Sequence, residues 1–352
     1  MSERQGARGS QFRRDSTTGD WVLVAPERAR RPDTGRRLLA QEPMMSWDPN
    51  CPFCPGNEAM TPPEVLRIPA KRDWQVRVIP NKFAALEPTA GSAEIRGSGL
   101  FQAMDGVGYH EVVIETPVHN RSLADMEPSE VEMVLRAFQN RAAALRADPR
   151  VKLVLVFKNQ GERAGTSLAH PHSQIIATPL IPPDVQQRLA VARAYRNTHD
   201  RCLYCDLRDT ELAAGERIVF QGRHFLVIQP FASRMPFETW MLPLRHRAKL
   251  ADLEETEIEE LALLLRNILR ALSVELAFPA WNCVLQAAPV EEEHEECYLW
   301  HIQVLPRVAT PAGFELGTGI SITTALPEET AEVLRQQFEG FSGRLRLCDL
   351  GD

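Results

Sequence analysis

The sequence predicts an α+β fold in which two related units follow one another along the chain. Two CxxC pairs, CPFC and CLYC, stand near the starts of these units. Each pair is followed by strand-like runs, a histidine and a long helical pattern, and each series closes on a second histidine and a further strand. His119 precedes His172 by 53 residues and His246 precedes His301 by 55. Agreement in both order and spacing indicates an internal duplication.

The first unit alternates strand and helix signals. The runs VRVIPNKF and GYHEVVIETP favour strands, and apolar residues at three- and four-residue spacing predict a long helix from about Glu127. A strand over residues 151–157 leads through a polar loop to HPHSQIIA, where His170 and His172 precede an apolar run. Strands of this type around one amphipathic helix predict helices packed on one face of an antiparallel sheet.

The second unit repeats this order. The runs RIVFQ, HFLVIQPF and FETWMLP favour strands, a helical pattern begins at about Glu254, and WNCVLQA and YLWHIQVLPR close the unit. A proline pair and a helical pattern over 185–199 connect the two units, and a C-terminal helix is expected after Pro327. We therefore divide the chain into residues 1–182 and 183–352, with two sheets in one pseudo-symmetric molecule.

Composition and charge argue against several classes of protein. The 352 residues carry a net charge of −7, whereas nucleic-acid and anionic-membrane binders present basic surfaces. The N-terminus has no apolar signal-peptide core and no run of about 18 apolar residues occurs, so we expect a cytoplasmic protein. The seven cysteines are then expected to be metal ligands or buried thiols rather than disulfides.

Each CxxC pair is a half-site for tetrahedral zinc, because it brings two thiolates to one ion. For Cys51 and Cys54, the repeat nominates His119 and one histidine of the HPH motif as the remaining ligands. Alternate side chains of an extended segment lie about 7 Å apart, so two HPH histidines do not easily complete one tetrahedron. One histidine that binds metal and one that does chemistry is the more economical arrangement.

A second zinc site is predicted less completely. Cys202, Cys205 and His246 occupy matching positions, but Leu299 stands where the repeat would place the counterpart of one HPH histidine. His301 is therefore assigned as the fourth ligand. For Cys51 and Cys54, the alternative is two free thiols in a turn.

A polar, glycine-containing loop precedes the histidines in KNQGERAGTSLAHPHSQ, and such loops let backbone N–H groups approach phosphate oxygens. A neutral imidazole beside this loop can attack phosphorus, and Gln174 could donate a hydrogen bond to a non-bridging oxygen. Arg28 and Arg31 suit phosphate, although a solvated basic turn explains them equally well. In the alternative, both histidines bind metal in a non-catalytic scaffold. The candidate phosphate-binding residues of the loop are Asn159, Gly165, Thr166 and Ser167.

These motifs resemble the galactose-1-phosphate uridylyltransferase family of the histidine-triad superfamily. RDSTTGDWVLVAPERARRPD, CPFCPGNE, NKFAALEP, FKNQGERAGTSLAHPHSQI and HIQVLPR are similar to its landmarks along most of the chain. The resemblance implies two half-barrel sheets with helices outside, a homodimer, and ping-pong nucleotidyl transfer in which His172 is the nucleophile and Gln174 stabilises the phosphate. The implied zinc ligands are Cys51, Cys54, His119 and His170. The implied substrate-binding residues are Arg28, Arg31, Asn81, Asn159, Gly165 and Ser167.

One region departs from the family pattern. The segment TPAGFELGTGISI keeps Phe314 and Glu315 of the hexose-contacting stretch but lacks the lysine and glutamine of galactose-using members. It resembles the ADP-glucose phosphorylase branch, which moves AMP with the same nucleophile and tends to carry two zinc sites. We predict hexose-1-phosphate uridylyl transfer from a nucleotide-sugar to a sugar 1-phosphate. The alternatives are ADP-glucose phosphorylase and a zinc-stabilised nucleotide-binding protein without turnover, although a binder needs neither His172 nor Gln174.

Overall fold

A ten-stranded antiparallel sheet forms the centre of the protein in its computed structural model, which describes residues 9–30, 45–71, 73–277, 280–292 and 297–341. A three-stranded sheet and a two-stranded hairpin lie outside it. The strands in chain order are β1 (Gln11–Arg14), β2 (Trp21–Val24), β3 (Leu66–Ile68), β4 (Val76–Pro80), β5 (Arg96–Ser98), β6 (Phe101–Ala103), β7 (Tyr109–Ile114), β8 (Leu153–Gln160), β9 (His172–Thr178), β10 (Ile218–Gln221), β11 (Phe225–Ile228), β12 (Thr239–Pro243), β13 (Trp281–Gln286), β14 (His301–Pro306) and β15 (Ser321–Thr323).

The two halves of the chain contribute matching sets of five strands to the large sheet. Its order is β3-β4-β7-β9-β8 in the first half, continued by β13-β14-β12-β11-β10 in the second. In each half, the fourth of its five strands in chain order lies at the centre of the sheet, as β8 or β13. The fifth, third, second and first strands of that half follow outward. This common order is the one that an internal duplication predicts.

Helices cover the sheet, and the two longest ones correspond between the halves. The helices are α1 (Pro128–Arg146), α2 (Pro183–His199), α3 (Leu203–Ala214), α4 (Glu255–Glu275), α5 (Gly313–Thr318) and α6 (Pro327–Phe341). Helices α1 and α4 pack against each other and share one core with the sheet. Both begin with a capping box: Glu130 accepts from the N–H of Glu127 at 2.7 Å, and Glu257 from the N–H of Glu254 at 2.8 Å. These contacts satisfy N–H groups that a helix start leaves unpaired.

The three-stranded sheet of β1, β2 and β15 is anchored to the second half of the chain. Arg13 of β1 is buried, and its guanidinium donates to the Phe231 carbonyl at 3.0 Å and to the Glu328 carboxylate at 2.9 Å. The hairpin of β5 and β6 instead projects into solvent, where Leu100 and Phe101 are 94% and 85% exposed.

The α+β class predicted from the sequence is confirmed, and so are the helices expected near residues 127, 185, 254 and 327. The two sheets expected from the sequence are joined into one continuous sheet, because β13 pairs with β8. The repeat is also less regular than expected: Cys202 caps α3, a helix that the sequence did not reveal, whereas Cys51 and Cys54 lie in turns. Within the described ranges, no helix is both long and apolar enough to cross a membrane.

Candidate active site and metal centres

Four side chains from three segments of the chain converge on one buried cluster. Its members are Cys51, Cys54, His119 and His170, whose ligand atoms all lie within 4.8 Å of one another. The Cys54 Sγ lies 3.4 Å from Nδ1 of His119 and 3.6 Å from Nδ1 of His170, and the Cys51 Sγ lies 3.7 Å from the latter. A tetrahedral zinc ion with ordinary Zn–S and Zn–N bonds holds its ligand atoms about 3.5 Å apart. Both the donor set and its spacing therefore fit zinc.

His170 is prepared to act as a ligand in this cluster. Its Nε2 lies 2.8 Å from the Thr116 carbonyl oxygen, which can only accept a hydrogen bond, so Nε2 carries the proton and Nδ1 offers its lone pair. Burial lowers the pKa of His170 to about 4, which keeps the ring neutral at physiological pH. Burial also raises the pKa of the Cys51 thiol to about 11, so binding of a metal here releases a proton.

His172 has a different environment, although only Pro171 separates it from His170. It opens β9 and is partly accessible, and its ring packs edge-on against Phe53 with the centroids 5.5 Å apart. Its Nδ1 lies 2.9 Å from the His170 carbonyl oxygen and must therefore donate. Burial lowers the pKa of His172, so the neutral ring with a free lone pair on Nε2 is favoured. This tautomer is the one that a nucleophilic imidazole requires.

Gln174 lies on the same face of β9 as His172, because alternate residues of a strand share a face. Its Oε1 is 2.7 Å from Nε2 of His110 on β7, and the same His110 nitrogen is 3.1 Å from Nδ2 of Asn81. The structure thus groups Gln174 with Asn81, a residue that the family resemblance implied for substrate binding. His110 was missed, because the register between β7 and β9 that brings it to Gln174 is not visible in the sequence.

A buried ion pair contacts the start of β9, the strand that carries His172. Lys158 of β8 and Glu115, which follows β7, are 2% and 0% exposed, and Nζ lies 2.7 Å from Oε2. Lys158 also donates to the His172 carbonyl oxygen at 3.2 Å, and the Ser173 hydroxyl donates to the other oxygen of Glu115. The pair therefore ties β8 and the end of β7 to the two residues that open β9.

The loop before the histidines differs in part from the expected phosphate cradle. The N–H groups of Ala164, Gly165 and Thr166 donate to carbonyl oxygens of the loop itself, so these three groups are not free to meet a phosphate. The Thr166 hydroxyl donates to the backbone carbonyl of Asn159 and fastens the loop to β8. Ser167 is exposed at the end of the loop. The loop therefore meets a ligand through groups other than these three N–H groups.

Asn159 is oriented by a residue of the second half. Arg307 donates through Nε to Oδ1 of Asn282, whose Nδ2 donates to the Ala164 carbonyl at 2.9 Å and to Oδ1 of Asn159 at 2.7 Å. Because the guanidinium can only donate and a carbonyl can only accept, the direction of this chain is fixed. The Asn159 amide nitrogen faces Gly165. It lies 3.9 Å from the position that a Cβ on residue 165 would occupy.

The second CxxC pair forms a smaller cluster. Cys202, Cys205 and His246 have ligand atoms within 4.8 Å of one another, and the Cys205 Sγ lies 3.2 Å from Nδ1 of His246. A hydrogen bond from Cys202, together with the contact to His246, holds the pKa of the Cys205 thiol at about 5 despite its partial burial. This donor set suits a metal that takes its fourth ligand from elsewhere.

His301, which the sequence nominated as that fourth ligand, does not join this cluster. Its Nδ1 faces the Leu299 carbonyl oxygen at 3.1 Å, its Nε2 faces the Gln303 amide at 3.1 Å, and its ring packs against Trp240 and Tyr204. On β14, His301 and Gln303 repeat the spacing of His172 and Gln174, and Nδ1 again faces the carbonyl two residues earlier. Both are buried, however, at 0% and 1% exposure. Sequence spacing aligned the two histidines, and both ring nitrogens of the second one face partners other than the cysteines.

The remaining candidates lie at the small sheet or outside the described residues. Arg28 is exposed in a short 3-10 helix after β2, and Phe314 and Glu315 lie in the short helix α5 that precedes β15. Among the described residues, no hydrogen bond joins any of these three to the strand of His172. Arg31 lies outside the described residues.

Comparison with known proteins supports one origin for these features. The N-terminal domain model of galactose-1-phosphate uridyl transferase matches residues 2–182, and its C-terminal domain model matches residues 188–342. The chain belongs to the galactose-1-phosphate uridyl transferase family. An ADP-glucose phosphorylase of Arabidopsis thaliana is 32% identical over 330 residues, which is 93% of this chain and 92% of the relative. A galactose-1-phosphate uridylyltransferase of Haemophilus influenzae is 31% identical over 324 residues, 90% of each chain.

A solved structure of this family has the same fold. The crystal structure of an ADP-glucose phosphorylase from Arabidopsis thaliana with bound ADP-glucose superposes with a TM-score of 0.81 at 30% identity, over 93% of this chain and 99% of that one. Membership of the galactose-1-phosphate uridyl transferase family confirms the resemblance noted in the sequence. It also confirms the prediction that the chain is a nucleotidyltransferase, since the relatives in this family are nucleotidyltransferases.

Proposed function

We propose that the protein transfers the nucleotidyl group of a nucleotide-sugar to an acceptor phosphate through a covalent nucleotidyl-His172 intermediate. The hydrogen bond from His172 Nδ1 to the His170 carbonyl carries this proposal, because it leaves the lone pair of Nε2 free. In the first step Nε2 attacks the α-phosphorus, the bond to the bridging oxygen breaks, and the sugar 1-phosphate leaves. In the second step an acceptor phosphate oxygen attacks and the phosphorus–nitrogen bond breaks.

The two amides beside the loop are assigned to the phosphate oxygens. The Asn159 amide nitrogen faces the loop, and Gln174 lies two residues from His172 on the same strand face. Hydrogen-bond donors held in place stabilise the charge that shifts onto the non-bridging oxygens in the transition state. We further assign substrate contacts to Asn81, Gly165, Thr166 and Ser167 in this region, and to Arg28, Phe314 and Glu315 around the small sheet. Arg31, outside the described residues, is proposed as a further substrate contact.

We propose zinc for the first cluster, where it would cross-link the CPFC turn, the segment of His119 and the start of β9. The role of Cys51, Cys54, His119 and His170 is then to hold this frame, while His172 remains outside it. A second zinc ion is proposed at Cys202, Cys205 and His246, with its fourth ligand unassigned. The spacing of the ligand atoms supports both assignments.

Hexose-1-phosphate uridylyl transfer from UDP-glucose is the activity proposed first, in agreement with the uridylyltransferase relative. ADP-glucose phosphorylase is the second candidate. It is favoured by the relative of that name, which shares 32% identity, and by the region around Phe314, which lacks the lysine and glutamine of galactose-using members. The two differ in nucleobase and acceptor but use the same His172 step.

The setting of the molecule is proposed as well. We infer a cytoplasmic homodimer. This is supported by two clusters of cysteines and histidines, which can bind a metal only while the thiols are reduced, and by the exposed Leu100 and Phe101 of the projecting hairpin. We also propose that the halves divide at residue 182, which is supported by the matching strand order on either side.

Trapping of the intermediate tests the proposed function. Incubation with UDP-glucose or ADP-glucose labelled in the α-phosphate should give an acid-labile protein adduct with at least one of them. His172→Asn should remove the label, and His224→Asn, outside the site, should keep it. Discharge of the adduct by galactose 1-phosphate, glucose 1-phosphate or inorganic phosphate then identifies the acceptor. Labelling of His172→Asn, or no labelling with either nucleotide, would refute the mechanism.

A further inference from the structure

His110 lies at the centre of a small hydrogen-bond network whose direction is fixed by one backbone group. The N–H of Ala85 points at Nδ1 of His110 with a nitrogen–nitrogen distance of 3.1 Å. A backbone N–H can only donate, so Nδ1 must be the unprotonated nitrogen of the ring. The neutral ring then carries its proton on Nε2, and this nitrogen lies 2.7 Å from Oε1 of Gln174.

The other tautomer fits the surroundings less well. A proton on Nδ1 would face the N–H of Ala85 and set two donors against each other. The N–H of Phe83 donates to Oδ1 of Asn81, so the amide nitrogen Nδ2 is the atom that faces the His110 ring. A ring with its proton on Nδ1 would let Nε2 accept from this Nδ2, at 3.1 Å. Only the Nε2-protonated ring satisfies both the Ala85 N–H and the shorter contact to Gln174. With Nε2 protonated, that nitrogen cannot accept from Nδ2 of Asn81, so the longer of its two contacts is not a hydrogen bond.

The protonated Nε2 of His110 fixes the orientation of the Gln174 amide. Its Oε1 is occupied as an acceptor by His110, so its NH₂ group must point away from His110. A glutamine amide has two ends of almost equal shape, and without such a partner either end can face the phosphate. An oxygen turned towards a phosphate oxygen would repel it, whereas the NH₂ group would stabilise it.

We propose that His110 is a positioning residue that orients the Gln174 amide for phosphate binding. This inference rests on the proposed function of the His172 site and assigns to it a residue outside the HPHSQ motif. Strand register explains how the residue reaches the site. His110 pairs with Ile176 and Val112 pairs with Gln174, so His110 and Gln174 are diagonal neighbours on one face of β7 and β9.

The tautomer can be measured without any activity. In protein labelled with ¹⁵N-histidine, and with His110→Gln used for assignment, the His110 ring should show a protonated Nε2 and an unprotonated Nδ1 at neutral pH. A ring protonated on Nδ1 would overturn the proposal. This measurement is independent of whether His172 forms an adduct.

A double-mutant cycle tests the effect on chemistry. His110→Phe should slow adduct formation about 10- to 100-fold, an effect bounded by the loss of one oriented donor. In a Gln174→Ala background, the same substitution should cause less than about a twofold further loss, because no amide remains to be oriented. His110→Gln, which can still donate to Gln174, should recover much of the rate. His224→Phe, which lies outside the site, serves as the matched control.

The outcomes separate this inference from the proposed function. If the wild-type protein forms no adduct, the proposed function fails, while the ring measurement still decides the geometry at His110. If the wild type forms the adduct and His110→Phe slows it equally with and without Gln174, His110 acts only through the fold and the inference is overturned. Thermal unfolding of each variant shows whether the fold itself has been lost.

Discussion

The buried pair of Lys158 and Glu115 is the feature whose removal should be most damaging away from the reacting atoms. Lys158→Met keeps most of the side-chain volume and removes the charge. It leaves the carboxylate of Glu115, which is 0% exposed, with the Ser173 hydroxyl as its remaining side-chain partner. It also removes the donor to the His172 carbonyl oxygen.

The size of the effect follows from this burial. Removal of one partner from a buried ion pair costs about 3–5 kcal/mol, because the other charge is left in a medium that solvates it poorly. We therefore expect Lys158→Met to lower the free energy of unfolding by about 3–5 kcal/mol. Addition of Glu115→Gln removes the stranded charge and should recover about half of the loss, so that the double variant is more stable than the single one.

Urea unfolding at pH 7.5 of the wild type, both single variants and the double variant measures these differences. Lys152→Met is the matched control, because its partner Glu291 is 60% exposed and an exposed pair contributes at most about 1 kcal/mol. A loss below about 1 kcal/mol for Lys158→Met, or a double variant less stable than Lys158→Met, would refute this account of the pair.

Three further predictions concern the second half and the metals. Asn282→Ala should slow adduct formation about 10-fold, because Asn159 loses the donor that orients it; an unchanged rate would contradict this relay. Burial lowers the pKa of His301 to about 3, so only the unfolded chain takes up this proton as the pH falls below about 6.5. Stability in urea should then drop by about 2 kcal/mol between pH 7.5 and pH 5, and His301→Phe should flatten this dependence; an equal slope in the variant would assign it to other groups. Metal analysis should find that Cys54→Ala loses the first zinc and unfolds at a lower temperature. Cys205→Ala should lose only the second zinc and still form the adduct, and loss of the adduct would show that the second cluster supports the site.

Local patterns predicted the parts of the fold that local interactions determine. The starts of α1 and α4 follow from apolar periodicity and from carboxylates at their first turns, so the sequence placed both within about one residue. Helix α3 was missed because the CLYC motif was interpreted as a repeat of CPFC, which lies in turns. The junction of the two sheets was also missed, since pairing between Asn159 and Asn282 joins strands 123 residues apart.

In the candidate site, too, short motifs revealed some residues, whereas others depend on long-range pairing. The CxxC pairs and the HPH motif carry their chemistry in short spacings, and the first cluster contains all four residues nominated for it. His110 and Asn282 act through strand register and through hydrogen bonds whose direction depends on one backbone or guanidinium group. The role of His301 could not be deduced from spacing, because the orientation of its ring depends on Leu299 and Gln303.

The pairing of β8 with β13 also bears on how such a chain could arise. In a single unit, the β8 edge would present unpaired N–H and C=O groups and would favour association with a second copy. The duplicated chain supplies that partner covalently, so the edge is closed within one molecule. Two copies fused in this way are free to diverge. One can keep an accessible histidine while the other, freed from chemistry, buries its counterpart at His301 and contributes Asn282 to its neighbour. The pairing of β8 with β13 would thus descend from a contact between two identical subunits. In the fused chain, the two halves have come to serve different roles.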